Sequence, residues 1–141
     1  YRNKIFIMRS IYFLSFFLII TLTGCQKIDC SKLVFDEVNK LTYKNNQLFS
    51  GKCYSYFSES KIESIRQYKD GRDHGKWVFY HQNEKIATKG TMKNGKKIGK
   101  WEYFYPTGEL RFEHSYNDFG QRKGYWLEIS KKGDTLSILK Y

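Results

Sequence analysis

The sequence predicts an all-β fold, an elongated antiparallel meander of β-hairpin repeats with a period of about 24 residues, and three observations carry that expectation. The chain is rich in strand formers and turn residues, with 12 Tyr, 11 Phe and 11 Gly against 1 Pro and 2 Met in 141 residues. One block recurs: Gly75-Lys76-Trp77, Gly99-Lys100-Trp101 and Gly124-Tyr125-Trp126, so that successive Trp lie 24 and 25 residues apart. Asp70-Gly71 and Asn94-Gly95, flanked by alternating residues, are the dipeptides that supply positive φ at both centres of a type I′ hairpin turn. The length allows one modest domain, and three cysteines are too few for a disulfide-built scaffold.

The elements follow in chain order. Residues 1–10 carry Arg2, Lys4 and Arg9 and no acid, and Ile11–Thr21 is uncharged. A basic start, a short apolar run and small residues describe a secretory signal, too short for a stable membrane span. Met8 is a candidate true start in place of Tyr1. Leu22-Thr23-Gly24-Cys25 resembles the bacterial lipobox, which implies removal of residues 1–24 and acylation of Cys25. Losing those three cations lowers the net charge from +11 to +8. Two or more acyl chains on Cys25 would anchor the chain stably in a membrane. By the same resemblance, Gln26 after the cysteine favours the outer membrane, and Gln26-Lys27-Ile28-Asp29 looks like a surface-export tag.

Residues 25–40 lack the repeat pattern and are expected to form a lipidated tether or a cap over the first repeat. Cys30 and Cys53 leave two readings open. They form a disulfide, or they remain thiols with Cys53 buried where later copies carry Trp. The repeat domain is expected over 41–141, with copies near 43–67, 68–91, 92–115 and 116–139, the first of them degraded. A second turn falls seven residues beyond each Trp, at Asn83-Glu84, Thr107-Gly108 and Lys132-Gly133. Trp77, Trp101 and Trp126 share one inward column, Ile86 and Leu110 a second, and Tyr68, Met92 and Tyr116 a third.

Asn94-Gly95-x3-Gly99-Lys100-Trp101, with Tyr105 and Gly108 beyond it, resembles the bacterial variant of the MORN repeat, and Asp70-Gly71-x3-Gly75-Lys76-Trp77 matches it equally well. That resemblance implies a run of β-hairpins, a binding or scaffolding role with membrane or protein partners, and no shared catalytic residues.

The residues themselves point the same way. His74, His81 and His114 are too far apart in sequence for one element to aim two at a metal, and no phosphate loop or nucleophile motif is present, so no metal, cofactor or catalytic group is expected. Lys69, Lys76, Lys93, Lys96, Lys97, Lys100, Arg122 and Lys123 recur in the turn and first strand of successive copies. A regular stack would line them up for an anionic envelope component or another envelope protein, unless they serve only to keep sheet edges from aggregating. Phe79 and Tyr103 are expected on the face opposite the Trp column, as further binding candidates. The expected function is a lipid-anchored envelope interaction module. The alternatives are an antitoxin-like or nucleic-acid-binding basic repeat protein, against which the export signal argues, and an envelope enzyme with an unrecognised site.

Overall fold

The computed structural model describes residues 27–141, so the expected signal segment 1–24, the expected anchor Cys25 and Gln26 lie outside the described residues. Strand β1 (Ile28–Asp29) leads into a 3-10 turn at Cys30–Lys32, capped by Asp29 Oδ1 accepting from Ser31 N at 2.8 Å. Strands β2 (Val34–Asp36), β3 (Leu41–Lys44) and β4 (Gln47–Leu48) form a small antiparallel sheet. The main sheet follows: β5 (Gly51–Ser58), β6 (Lys61–Lys69), β7 (Arg72–Asp73), β8 (Gly75–Tyr80), β9 (Ile86–Lys93), β10 (Lys96–Phe104), β11 (Leu110–Tyr116), β12 (Tyr125–Ile129) and β13 (Thr135–Lys140). Its spatial order is β1-β5-β6-β8-β9-β10-β11-β12-β13, with β7 beside β6. All pairings are antiparallel except β1 with β5, so the chain is the expected meander.

Local chemistry places each corner. Asp70 and Gly71 sit at φ 50° and 74°, and Asn94 and Gly95 at 51° and 80°, the double positive φ of a I′ turn that matches strand twist. Asn45-Asn46 makes a third such turn, at 50° and 61°, which the sequence reading passed over because it lacks glycine. In the last copy Phe119 lengthens the turn: Asn117 and Gly120 close it, and Phe119 stands 74% exposed. The second turn repeats at 81–84, 105–108 and 130–133, each needing a left-handed residue at its end. Gly108 and Gly133 meet that need, while Glu84 adopts φ 65°. Left-handed backbone costs a side-chain-bearing residue roughly 1–2 kcal/mol, partly offset by glycine's greater unfolded-state entropy. Glu84→Gly should therefore stabilise the protein by about 0.5–1 kcal/mol in urea unfolding, and a loss of stability would show the turn is misread.

The repeats are locked to one another by bonds that recur with the same period. Gly71 N donates to Phe49 O and Gly95 N to Asp73 O, both at 2.9 Å. At the opposite end of the strands, His81 Nε2 donates to Phe104 O at 3.0 Å and Tyr105 Oη to Ile129 O at 3.2 Å. Each is worth about 0.5–1.5 kcal/mol net.

A third device fixes the tryptophans. An irregularity in strand pairing before each Trp leaves an upstream carbonyl able to take a second donor. Trp77 Nε1 donates to Gln67 O at 3.1 Å, Trp101 Nε1 to Thr91 O at 3.1 Å, and Trp126 Nε1 to Ser115 O at 3.3 Å. His74 N and Lys123 N reach the Gln67 and Ser115 carbonyls as well.

The core is small because the meander is a single layer. Cys53 is fully buried, and Trp101 (2% exposed), Phe49, Tyr68 and Met92 nearly so. Cys53 does occupy the Trp position of the first copy: it pairs across to Arg66 as Trp101 pairs to His114. It is also bonded to Cys30, with the Cα atoms 5.0 Å apart. Ile86 departs from the inward column expected for it and is 37% exposed. It opens β9 beside a turn, where no second layer lies over the sheet.

Candidate interaction surface

Alternation along each strand sorts the candidate residues onto two faces and one end. The Trp face carries Trp77, Trp101 and Trp126. It also carries Phe79 and Tyr103, two residues beyond a Trp and therefore on its side of the sheet, not opposite as the sequence reading had them. The ring centroids of Trp77 and Phe79 lie 6.0 Å apart, and Tyr103 lies 5.2 Å from His114, the cross-strand partner of Trp101. The parity error has a simple origin: residues i and i+2 share a face whatever the strand's position.

Two of the predicted cations join this face. Lys97 Nζ lies 4.3 Å from the centroid of Trp101, 5.7 Å from Tyr103 and 6.0 Å from Tyr116, and donates to Tyr103 Oη at 3.0 Å. Arg122 lies 4.4 Å from Trp126 and 5.1 Å from Tyr141, whose hydroxyl accepts from its Nη1. Such cations gain from the ring quadrupole, about 0.5–2 kcal/mol according to exposure. His114 stacks on Trp126 at 3.9 Å, and burial, then the Lys97 and Arg122 charges, hold its imidazole below the usual range.

The reverse face is charge-balanced where it carries acids. Lys100 pairs with Glu113 at 2.9 Å, and the hydrogen bond to that carboxylate holds the ammonium above its usual range. Lys89 pairs with Glu102 at 3.1 Å. Lys76 lies exposed on the same face. Of the predicted cations, Lys76 and Lys100 thus point away from Lys97 and Arg122.

The hairpin ends gather the densest positive charge. Lys69 sits directly across from Arg72, and Lys93 directly across from Lys96, flanking the two I′ turns. The Gly95–Asp73 bond sets one turn beside the other. Like charges opposed across an antiparallel pair are unfavourable on their own. The acid at this end, Asp70, is engaged with Ser50, whose hydroxyl also accepts from Asp70 N. Lys69, Asp70, Arg72, His74 and Asn94 line an open hollow of about 590 Å³ there. Sequence reasoning misses Arg72, although its place directly after the Asp70-Gly71 turn, as Lys96 follows Asn94-Gly95, marks it. Lys123 is exposed in the loop before β12, after the lengthened third turn.

Two of the histidines have structural surroundings: His81 bonds the next repeat, and His114 stacks on a ring, whereas the buried Nδ1 of His74 has no hydrogen-bond partner. Among the described residues, no group of three or more His, Cys, Asp or Glu is placed to hold a metal. No helix among them is long and apolar enough to cross a membrane.

Fold and site together define a tandem β-hairpin repeat protein built as an open, single-layer sheet with an aromatic face and a cationic hairpin end. Residues 73–94 and 97–118 match the family model described as the MORN repeat variant, two adjacent units within that sheet, and MORN repeats are generally interaction or membrane-binding modules. No curated protein matches the chain. Among solved structures it is similar to the crystal structure of a GtfA/B complex bound to UDP and GlcNAc, at 11% identity and a TM-score of 0.36. The likeness covers 77% of this chain but 26% of that one.

Proposed function

We propose that this chain is a non-catalytic interaction module, held at the cell-envelope membrane by acylated Cys25, that docks an anionic envelope component on its hairpin ends. The carrying observation is the opposition of Lys69 to Arg72 and of Lys93 to Lys96 on adjacent turns, where an anion relieves repulsion between like charges. The lipobox-like Leu22-Thr23-Gly24-Cys25 supports the anchor, and Gln26 after it supports an outer-membrane address. The structural duties of His81 and His114 support the non-enzymatic reading.

Phosphate-bearing head groups are the partner chemistry that suits compact ammonium groups at a membrane, at about 1 kcal/mol per lysine near a charged surface. Lys93→Ala/Lys96→Ala should weaken co-sedimentation with vesicles containing phosphatidylglycerol roughly thirtyfold, with little binding to purely zwitterionic vesicles. Equal binding by wild type and variant would remove this surface from consideration. Fractionating cells that carry Cys25→Ala tests the anchor separately, since a cytosolic wild-type protein would overturn the envelope address.

A further inference from the structure

The last two copies show how the space beside each Trp is normally filled. Trp101 lies against Gly90, where a Cβ would overlap the indole, and Lys97 covers it. Trp126 stacks on His114 and Arg122 covers it. The copy that carries Trp77 breaks both positions: Arg66 stands where Gly90 and His114 stand, and Asp73 replaces the covering cation. Trp77 is half-buried, with the Arg66 guanidinium 5.8 Å from its ring centroid. A cavity of about 350 Å³ opens between this face and the small N-terminal sheet, walled by Tyr68, Trp77, Phe35 and Thr42. That size is at the lower end for small-molecule sites.

Its polar groups are unspent. Arg66 is tied by Nη2 to Ser55 Oγ at 3.3 Å, and its buried Nε has no acceptor. Asp73 faces the same cavity, and among the described residues neither it nor Arg66 has a salt-bridge partner. Burial pushes the Asp73 carboxyl up, against the pull of the Arg66 charge. A cation and an acid left unpaired between aromatic walls are complementary to a ligand that carries both opposite charges.

We propose that this cavity binds a small zwitterion of the α-amino-acid class, its carboxylate toward Arg66, its ammonium toward Asp73 and an apolar side chain among Phe35, Tyr68 and Trp77. A neutral sugar would present no opposite charge to either group. The site is distinct from the hairpin-end cations, so its failure leaves the proposed partner docking untouched, and the reverse holds too.

Isothermal titration of the full-length protein with L-phenylalanine, N-acetyl-L-phenylalanine, L-phenylalaninamide and glucose provides the test. One saturable site for phenylalanine is expected, with each charge-deleted derivative at least about tenfold weaker and glucose not bound. Asp73→Asn should weaken phenylalanine by a similar factor. The double variant R66G/D73K restores the pattern around Trp101, so it should keep its melting temperature and lose binding. Absence of saturable phenylalanine binding, glucose binding as tightly as phenylalanine, or a folded double variant that still binds would each overturn the assignment.

Discussion

Trp101→Ala should destabilise the protein by about 3–5 kcal/mol, read as a shift of the urea unfolding midpoint. Among the three indoles, Trp101 alone is almost wholly enclosed, at 2% exposure. Its removal empties the space over Gly90, strips the Lys97 ammonium of its nearest ring and leaves Thr91 O without its indole donor. In a one-layer sheet no neighbouring layer can collapse into that gap, which places the cost toward the top of the range. Trp126→Ala should cost distinctly less, because that ring is only half-buried. Gly90→Ala approaches the same contact from the other side: the added methyl would overlap the indole, so Trp101 must leave its bed. Equal effects at Trp101 and Trp126 would mean that burial in the central copy is not what stabilises the stack.

The second large effect is expected from the Cys30–Cys53 bond. The bonded residues are 23 apart in sequence, and closing such a loop restricts the unfolded chain by about 3 kcal/mol in the chain-entropy model. Reduction, or Cys30→Ala, should lower stability by about that amount. The loss should be local at first, because the bond ties β1 and the 3-10 turn to β5 while later copies are tied by their own periodic hydrogen bonds. Hydrogen exchange should thus rise first in β2, β3 and β4, with β10 and β11 protected. Unchanged exchange across 28–48 after reduction would show that the small sheet holds itself.

Several features could be seen in the letters because they depend on neighbours in sequence. Asp70-Gly71 and Asn94-Gly95 specify their turns through backbone sterics alone, and the spacing of Trp77, Trp101 and Trp126 announces a stacked unit. The cationic hairpin ends were partly visible, but Arg72 was missed and Lys76 and Lys100 were grouped with residues on another face. Those errors arise because a list of lysines carries no parity, whereas a strand alternates at every residue. The salt bridges of Lys89 to Glu102 and of Lys100 to Glu113, which neutralise part of the reverse face, join residues 13 apart across antiparallel pairs. They depend on register, and register at this sheet is displaced by the irregularities before each Trp.

By itself, then, the sequence determined that this protein repeats, where it turns and that three successive repeats carry a Trp, since periodicity and φ preferences are local properties. Tertiary structure alone decided which cations share a face with the rings, which are neutralised, that Cys53 takes the Trp place while bonded to Cys30, and that Arg66 and Asp73 open a cavity beside Trp77. Those outcomes rest on which side chains meet across strands, a matter of register and stacking distance that no single segment encodes.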